Sequence, residues 1–339
     1  MADNEQINVI VSIDFSNEIM ARIRAVSPLL NVEQHFPDVP DAKWKTAEVL
    51  YTVRNYPKPA DAPLLRWIQI NSAGMGRVLR EDISKAEDVA ITSASGIHVT
   101  QIANYCLMMI LAFHYKLPTM LDFQRQGKWA DNQYEIFRPS DLKGKTLGLV
   151  GYGSIARETA RLAQAFGMTV LATKHDAMTA KESDTDYSPE GTGDPDGVIP
   201  ERIYPGEALA TMAPECDYIV LTVPMTEQTR HMVNERVLNA MKETAVLVNI
   251  ARGGVVDEKA MIKALSKGTI RGVALDVFEQ EPLPEDSPLW KMDNVIISPH
   301  VSGNTDDYHE KAAELFIANL KRYLDKKPLY NQLNREAGY

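Results

Sequence analysis

One stretch leaves this chain few folds to choose from: Lys145-Thr146-Leu147-Gly148-Leu149-Val150-Gly151-Tyr152-Gly153-Ser154-Ile155-Ala156. Residues 145–150 predict a short buried strand, and Gly151 and Gly153 open a tight turn. Glu158–Phe166 continues as a helix with Ala160, Leu162, Ala163 and Phe166 on or near one face. Gly167 ends that helix, and Met168–Thr173 predicts a second apolar strand. Strand, glycine turn, helix and strand at this spacing make the opening βαβ unit of a dinucleotide-binding fold. The glycines let the backbone approach a pyrophosphate, and the helix start supplies free N–H groups and a positive dipole end. A lone glycine motif is weak evidence; its placement between these elements is what gives it weight.

The rest of the composition narrows the class. A chain of 339 residues exceeds one ordinary core and suits two domains. Apolar content of 45% with 24% charged residues is that of a soluble globular protein. With 36 basic and 46 acidic residues the net charge is −10, which argues against a nucleic-acid partner. Cys106 and Cys216 sit in apolar runs, read as reduced core residues, and form neither a redox pair nor a metal spacing; no metal is expected. The polar, acidic start Met1-Ala2-Asp3-Asn4-Glu5 lacks a signal-peptide pattern, so a cytoplasmic location is expected. Tyr105–Phe113, the most apolar run, is about half the ~18 residues of a membrane span, so no membrane role is expected.

Taken in order, Ile7–Ile13 predicts a first strand, followed by a helix with Ile19, Ile23 and Val26 at helical spacing. Glu48–Val53 and Arg66–Ile70 predict further strands. They end at Arg54-Asn55-Tyr56 and at Asn71-Ser72-Ala73-Gly74-Met75-Gly76, loops of the kind that carry ligands. Val99–Leu117 predicts a long helix, apolar almost all round and closed by Pro118, which must be buried on several sides between domains or against a second subunit. Gln124–Leu142, with Gly127, Trp129 and Pro139, reads as a connecting arm. Residues 175–206 break the pattern: acidic, rich in proline and glycine and poor in apolar residues, they predict a loop of the length that usually serves a function or moves. Alternation then resumes with strands at 217–223, 245–250, 272–277 and 295–298 and helices at 235–241 and 258–267, implying a mostly parallel doubly wound sheet. Asp307–Leu324 predicts an amphipathic helix free to pack on the first domain.

Three segments place a charged or titratable residue just past a predicted strand. They are Val248–Gly254 with Arg252, Ala274–Pro282 with Asp276 and Glu281, and Ile297–Gly303 with His300. Each is weak by itself, since a lone Arg is more often a cap and a lone His more often a satisfied core residue. Together, beside a dinucleotide turn, they weigh more than singly, and they resemble the signature of the D-isomer-specific 2-hydroxyacid dehydrogenases, which implies hydride transfer to the carbonyl of a 2-oxo acid. Arg252 can bind both the carboxylate and the carbonyl of a 2-oxo acid through its planar, permanently charged fork. His300 has an intrinsic pKa near neutrality and can supply the proton. Glu281, bonded to the other ring nitrogen, would orient the imidazole and favour its protonated form.

Order and spacing from Ile7 to about Leu324 resemble the D-isomer-specific 2-hydroxyacid dehydrogenases, most specifically around Arg252, Glu281 and His300 and in Pro224–Arg230 and Asn249–Gly253. The resemblance implies two doubly wound domains, Rossmann-like and flavodoxin-like, with a cleft between them. The substrate domain would be discontinuous, 1–103 plus 301–339, and the Rossmann domain 104–300 would carry the long loop 175–206. It implies cofactor contacts at Gly151, Gly153, Ser154 and Ile155, and at Val223, Pro224 and Thr229. Ile250, Ala251 and Gly303 would complete them, with Asp276 on the nicotinamide carboxamide. Ala73 and Gly74 would receive the substrate carboxylate through backbone N–H groups, and Arg54 would add a second positive contact or cap the rim.

Glu281 argues against formate as substrate, and only residues 325–339 follow the last predicted helix, too few for a regulatory domain. The chain departs from the family at Ala156, at the length of 175–206, and at Lys174, which stands where an acidic residue would hold the adenosine ribose. A lysine attracts a 2′-phosphate, with Thr173 and His175 as further donors. NADP is therefore the expected cofactor; NAD is the alternative if the strand runs on and Asp176 takes the ribose. The leading expectation is a homodimeric NAD(P)-dependent oxidoreductase acting on a small 2-oxo or D-2-hydroxy acid. The alternative is a corepressor-like scaffold of the same fold with little turnover.

Overall fold

The computed structural model describes residues 6–335; Met1–Glu5, on which the cytoplasmic expectation rests, lie outside them. The chain divides into two units. The first comprises the described parts of Met1–Ile97, Ser183–Pro189 and Thr305–Tyr339, and the second His98–Glu182 and Glu190–Asn304.

The first unit begins β1 (Ile7–Ser12), α1 (Asn17–Arg24), β2 (Leu30–Gln34), α2 (Asp41–Trp44), β3 (Val49–Thr52), β4 (Trp67–Ile70) and β5 (Ala90–Thr92). Its sheet is parallel throughout, in the order β2-β1-β3-β4-β5, the flavodoxin-like order. Strands β3 and β4 are buried at every position, as parallel strands covered on both faces must be. Ser16 starts α1 by accepting the N–H of Ile19, and Ile19, Met20 and Ile23 turn inward.

The second unit begins with α3 (Val99–His114), α4 (Leu117–Arg125) and α5 (Gln133–Ile136). The dinucleotide half follows as β6 (Thr146–Val150), α6 (Ser154–Ala165), β7 (Thr169–Lys174) and β8 (Arg202–Pro205). The rest is α7 (Leu209–Met212), β9 (Tyr218–Leu221), α8 (Glu235–Ala240), β10 (Val246–Asn249), α9 (Glu258–Ser266), β11 (Gly272–Leu275) and β12 (Val295–Ile297). All seven strands are parallel, in the order β12-β11-β10-β9-β6-β7-β8. The strand order reverses between β6 and β9, and sheets of this kind bind ligands beyond the C-terminal ends of the two strands at such a reversal.

Two expectations are corrected. The long apolar helix stops at His114, because Lys116 adopts a left-handed conformation at φ 55. Pro118 then stands in the first turn of α4, where its missing N–H costs nothing; it helps start a helix rather than ending one. The loop 175–206 also contains a strand, since 202–205 pairs with Leu171–Lys174 as β8. Proline 205 is tolerated there because β8 is the edge of the sheet.

The C-terminal helix α10 (Tyr308–Leu324) completes the first unit. Phe316 lies with its ring centroid 4.5 Å from Tyr51 and 5.3 Å from Trp67, and Leu320 and Ala313 are fully buried in the same cluster. Ser183–Pro189, from the middle of the long loop, also belongs to this unit: Thr185 O accepts the N–H of Asn331 at 2.8 Å, and Tyr187 packs edge-on against Tyr330.

Candidate active site

Gly151 ends β6 with φ +89, and a Cβ there would lie 2.9 Å from Val223 Cγ1, so only glycine closes this turn without strain. Its N–H reaches Thr173 O at 3.1 Å and Thr173 Oγ1 at 3.2 Å, and Thr222 Oγ1 donates to its carbonyl at 3.0 Å. The space beside Gly153 is open to 4 Å, and no side chain caps the N-terminus of α6. The first helical bond here runs from Arg157 N to Gly153 O. The N–H groups of Ser154, Ile155 and Ala156 precede it, and this donor set suits a diphosphate. Pro224 and Thr229 lie in the loop beyond β9, pinned by Thr229 Oγ1, which donates to Pro224 O at 2.6 Å.

Lys174 is the last residue of β7, and its ammonium is held by the carbonyls of Thr179 and Lys181. Asp176 lies beyond the strand and is engaged locally, accepting from Thr179 Oγ1 at 2.5 Å and from Met178 N at 3.1 Å. His175 is exposed. Thr173 does not share the role expected of it. It is buried, with its hydroxyl on the glycine turn, because neighbours on a strand face opposite ways. The loop that follows is anchored on α6. Tyr152 Oη donates to Asp194 Oδ2 at 2.6 Å, the buried Arg157 donates to Ala180 O at 2.7 Å, and Glu158 accepts the N–H of Gly193 at 2.7 Å. Burial, with Asp194 alongside, pushes the Tyr152 phenol far above its usual range, so it donates at every working pH.

The candidate reactive groups lie in the segments that follow β10, β11 and β12. His300 Nδ1 lies 2.8 Å from Glu281 Oε2, and Glu281 Oε1 accepts the N–H of Phe278 at 3.1 Å. His300 has φ 55, a conformation uncommon for a non-glycine residue and met most often where surroundings hold it for a purpose. Arg252 follows β10 and is exposed; Nη1 donates to Ala251 O at 2.6 Å, and among the described residues it forms no ion pair. Its turn is fixed by Asn249, which accepts from Ala251 N at 3.0 Å and donates to Arg252 O at 3.1 Å. Gly253 packs so closely on the Phe278 backbone that a Cβ would sit 1.8 Å from its carbonyl carbon. The Arg252 turn and the Glu281 segment are thereby held together.

Asp276 is fully buried, and its carboxylate is spent on the next segment: Oδ1 accepts from Ser298 Oγ at 2.5 Å and Val301 N at 2.8 Å, and Oδ2 from Ser302 N at 2.9 Å. These bonds shape the turn that presents His300. Gly303 follows that turn with only ordinary contacts around it. Ile250 and Ala251 are buried at the start of the Arg252 turn. In the first unit Arg54 lies exposed beyond β3, and Ala73 and Gly74 are exposed beyond β4, where Ser72 Oγ donates to Gly74 O at 2.9 Å.

Some participants escape a reading of the sequence. Tyr105 on α3 bonds Ser298 Oγ at 2.6 Å and so braces the same turn as Asp276. His231, with φ 49, gives its N–H to Gly254 O at 2.8 Å and sets Nε2 3.0 Å from Glu279 Oε1, which links the Arg252 turn to the Glu281 segment a second time. These contacts span 23 to 193 residues, so no local spacing announces them.

Comparison with known proteins agrees with this geometry. Residues 107–302 match the model of the D-isomer specific 2-hydroxyacid dehydrogenase NAD binding domain. The chain is 36% identical over 261 residues to a glyoxylate reductase of Thermofilum pendens, covering 76% of this chain and 72% of that one. It is 32% identical over 267 residues to a D-3-phosphoglycerate dehydrogenase of Methanocaldococcus jannaschii, covering 78% of this chain and 47% of that one. A solved D-isomer specific 2-hydroxyacid dehydrogenase of Xanthobacter autotrophicus Py2, in complex with NADPH and MES, superposes with a TM-score of 0.78 at 26% identity, over 98% of this chain and 100% of that one. A glycine turn at the switch point of one parallel sheet, and a paired His300 and Glu281 at the same edge, stand in a chain that belongs to the D-isomer specific 2-hydroxyacid dehydrogenases, the nicotinamide-dependent oxidoreductases of 2-oxo and 2-hydroxy acids.

Proposed function

We propose that this chain reduces a small 2-oxo acid of the glyoxylate type to the D-2-hydroxy acid with NADPH, with Arg252, Glu281 and His300 as its catalytic residues. The pairing of His300 with Glu281 carries the reading. One ring nitrogen is held by the carboxylate, which leaves Nε2 to deliver a proton to the carbonyl oxygen. Arg252, with no carboxylate partner among the described residues, binds the substrate carboxylate and polarises the carbonyl. The reduced nicotinamide, when bound, supplies the hydride. Ala73 and Gly74 receive the substrate carboxylate, and Arg54 favours a second negative group. The relatives named glyoxylate reductase support the substrate class.

NADPH is favoured because β7 ends at Lys174, whose ammonium is fixed at the strand end, while Asp176 is tied to Thr179 and Met178. The Xanthobacter relative holds NADPH. The scaffold reading is not favoured, since the relatives matched over most of their length are named for turnover. A cytoplasmic location belongs to the same reading, supported by two buried free cysteines.

A homodimer is part of the reading as well. Met108, Leu111, Tyr115, Leu117, Met120 and Phe166 line an open apolar groove of about 490 Å³ on α3, α4 and α6, and Met108 and Tyr115 are each 50% exposed. A second copy of the same face would cover it. Light scattering of the 37.8 kDa chain should give twice that mass, and Met108→Glu should return it to monomer.

The deciding experiment follows oxidation of NADPH over glyoxylate, hydroxypyruvate, pyruvate, phenylpyruvate and longer 2-oxo acids. Turnover on one of the small acids in the ordinary range of ~1–1000 per second is expected. Arg252→Ala should cut its efficiency by about a hundred-fold or more, as loss of two charge-assisted bonds implies. Tight cofactor binding with negligible turnover on every acid would return the scaffold reading.

A further inference from the structure

The edge of the seven-stranded sheet remote from the glycine turn has its own concentration of charge. Four neighbouring strands enter from that edge, and among the residues just before them are Lys145 before β6, Asp217 before β9, Thr244 before β10, and Arg271 before β11. Together with Lys116, which joins α3 to α4, and Arg138 on the arm, they line a cavity of about 330 Å³. Strands of this length at ~3.3 Å per residue put it roughly 15 Å from the cofactor turn.

The charge there does not balance. Four cations, Lys116, Arg138, Lys145 and Arg271, face one carboxylate, Asp217. That carboxylate is already engaged, accepting the N–H of Thr146 at 2.9 Å and the ammonium of Lys242 at 3.1 Å, while Lys145 stands 4.0 Å away. Lys116, Arg138 and Arg271 form no ion pair among the described residues. Lys116 and Arg271 bond the carbonyls of Ile136 and Phe113. The end of α3 accounts for part of this arrangement, but a helix C-terminus carries only about half a negative charge. Asp141, which acts on His114 from the arm, adds one more. At least one full positive charge is left without an answer, in a chain whose net charge is −10.

The floor of the cavity contributes no charge of its own. His114 is buried and lies 2.5 Å from Ser140 O and 3.0 Å from Tyr218 Oη. A carbonyl can only accept, so Nε2 carries the hydrogen. Burial, with Arg271 and Lys145 nearby, lowers the pKa of the imidazole and disfavours a charge on the ring.

We infer that this edge binds a small di- or trivalent oxyanion, a phosphate ester or polycarboxylate of a few carbons, at a site distinct from the reaction centre. The cavity is at the small end of ligand pockets, and two guanidinium forks suit phosphate or carboxylate oxygens.

The test is calorimetric titration of the full-length chain, saturated with its dinucleotide, with inorganic phosphate, glycerol 3-phosphate, citrate and uncharged glycerol. At least one of the three anions should bind while glycerol does not, and their ranking separates free phosphate from an ester or a polycarboxylate. Arg271→Gln or Arg138→Gln should weaken that binding by about ten- to a hundred-fold, as loss of a charge-assisted bond implies. Arg271→Lys should retain part of it, and Arg252→Gln should leave it unchanged. If Arg271→Gln does not fold, the pair Lys116→Gln, at a half-buried position, with Arg138→Gln, at an exposed one, carries the test. Absence of binding by all three anions overturns the inference. So does binding that survives the edge variants and is lost in Arg252→Gln, which would assign it to the substrate's own anion contact.

Discussion

His300 and Glu281 are joined at 2.8 Å, and the second oxygen of the same carboxylate is held by the N–H of Phe278, so the imidazole is fixed to the backbone through its partner. Removing the ring removes the proton donor, while removing only the carboxylate's charge loosens the ring. His300→Ala should therefore lower kcat by ~10²–10⁴ with the dinucleotide still bound. Glu281→Gln should fall between that variant and the native chain. Steady-state rates on the preferred acid give both values, and a native kcat in His300→Ala would remove it from the mechanism.

Asp276 makes a different kind of prediction. Asp276→Ala leaves the buried N–H of Ser302 and the part-buried N–H of Val301 without their acceptor and takes the carboxylate from the Ser298 hydroxyl. At ~1–3 kcal/mol for each such group, the unit should lose about 3 kcal/mol or more of stability. Urea denaturation measures the loss. If the role is to shape the turn, kcat falls in the folded fraction while dinucleotide affinity changes little. A large loss of affinity with an intact kcat would return Asp276 to the carboxamide.

Coenzyme choice turns on Lys174. Lys174→Asp replaces a fixed cation with a carboxylate that repels a 2′-phosphate and accepts from ribose hydroxyls, so the ratio of kcat/KM with NADPH to that with NADH should drop by about ten-fold or more. A ratio already below one in the native chain and unmoved by the substitution would make Lys174 an anchor of its loop and nothing further.

His114 predicts a pH dependence of stability. Burial, assisted by Arg271 and Lys145, holds its imidazole below the ordinary histidine value. The unfolded chain therefore takes up a proton near pH ~6.5 that the folded chain resists. Stability should be fully present above that pH and decline as pH falls below it. His114→Gln should flatten the decline, read from urea midpoints at about pH 7.5 and about pH 5.5. A midpoint that moves equally in both proteins would place the sensitivity elsewhere.

How much of this could be read from the residues depended on the range of the interaction. The β6–α6–β7 unit announces itself because its glycines, apolar period and strand ends all fall within thirty residues. β2 and β5 were missed: Leu30–Gln34 is a polar edge strand, and Ala90–Thr92 is only three residues long. The break at Lys116 was invisible because a left-handed lysine has no signature of its own, and Pro118 drew the boundary two residues late. Arg252, Glu281 and His300 are singled out by their positions past strands and by resemblance to a family. Asp276 was found too, but its partners Val301 and Ser302 contribute backbone N–H groups, which every residue has, so its work on the His300 turn could not be foreseen.

The seven residues Ser183–Pro189 change what counts as a module in this chain. A nucleotide-binding half exchanged between relatives would ordinarily need two junctions, here near residues 98 and 304. Because 183–189 is built into the first unit, the chain has four. A two-junction chimera would carry away Tyr187, against which Gly96 and Tyr330 are packed, and would leave Asn331 without the carbonyl of Thr185. In this protein an exchanged nucleotide-binding half has to leave residues 183–189 behind.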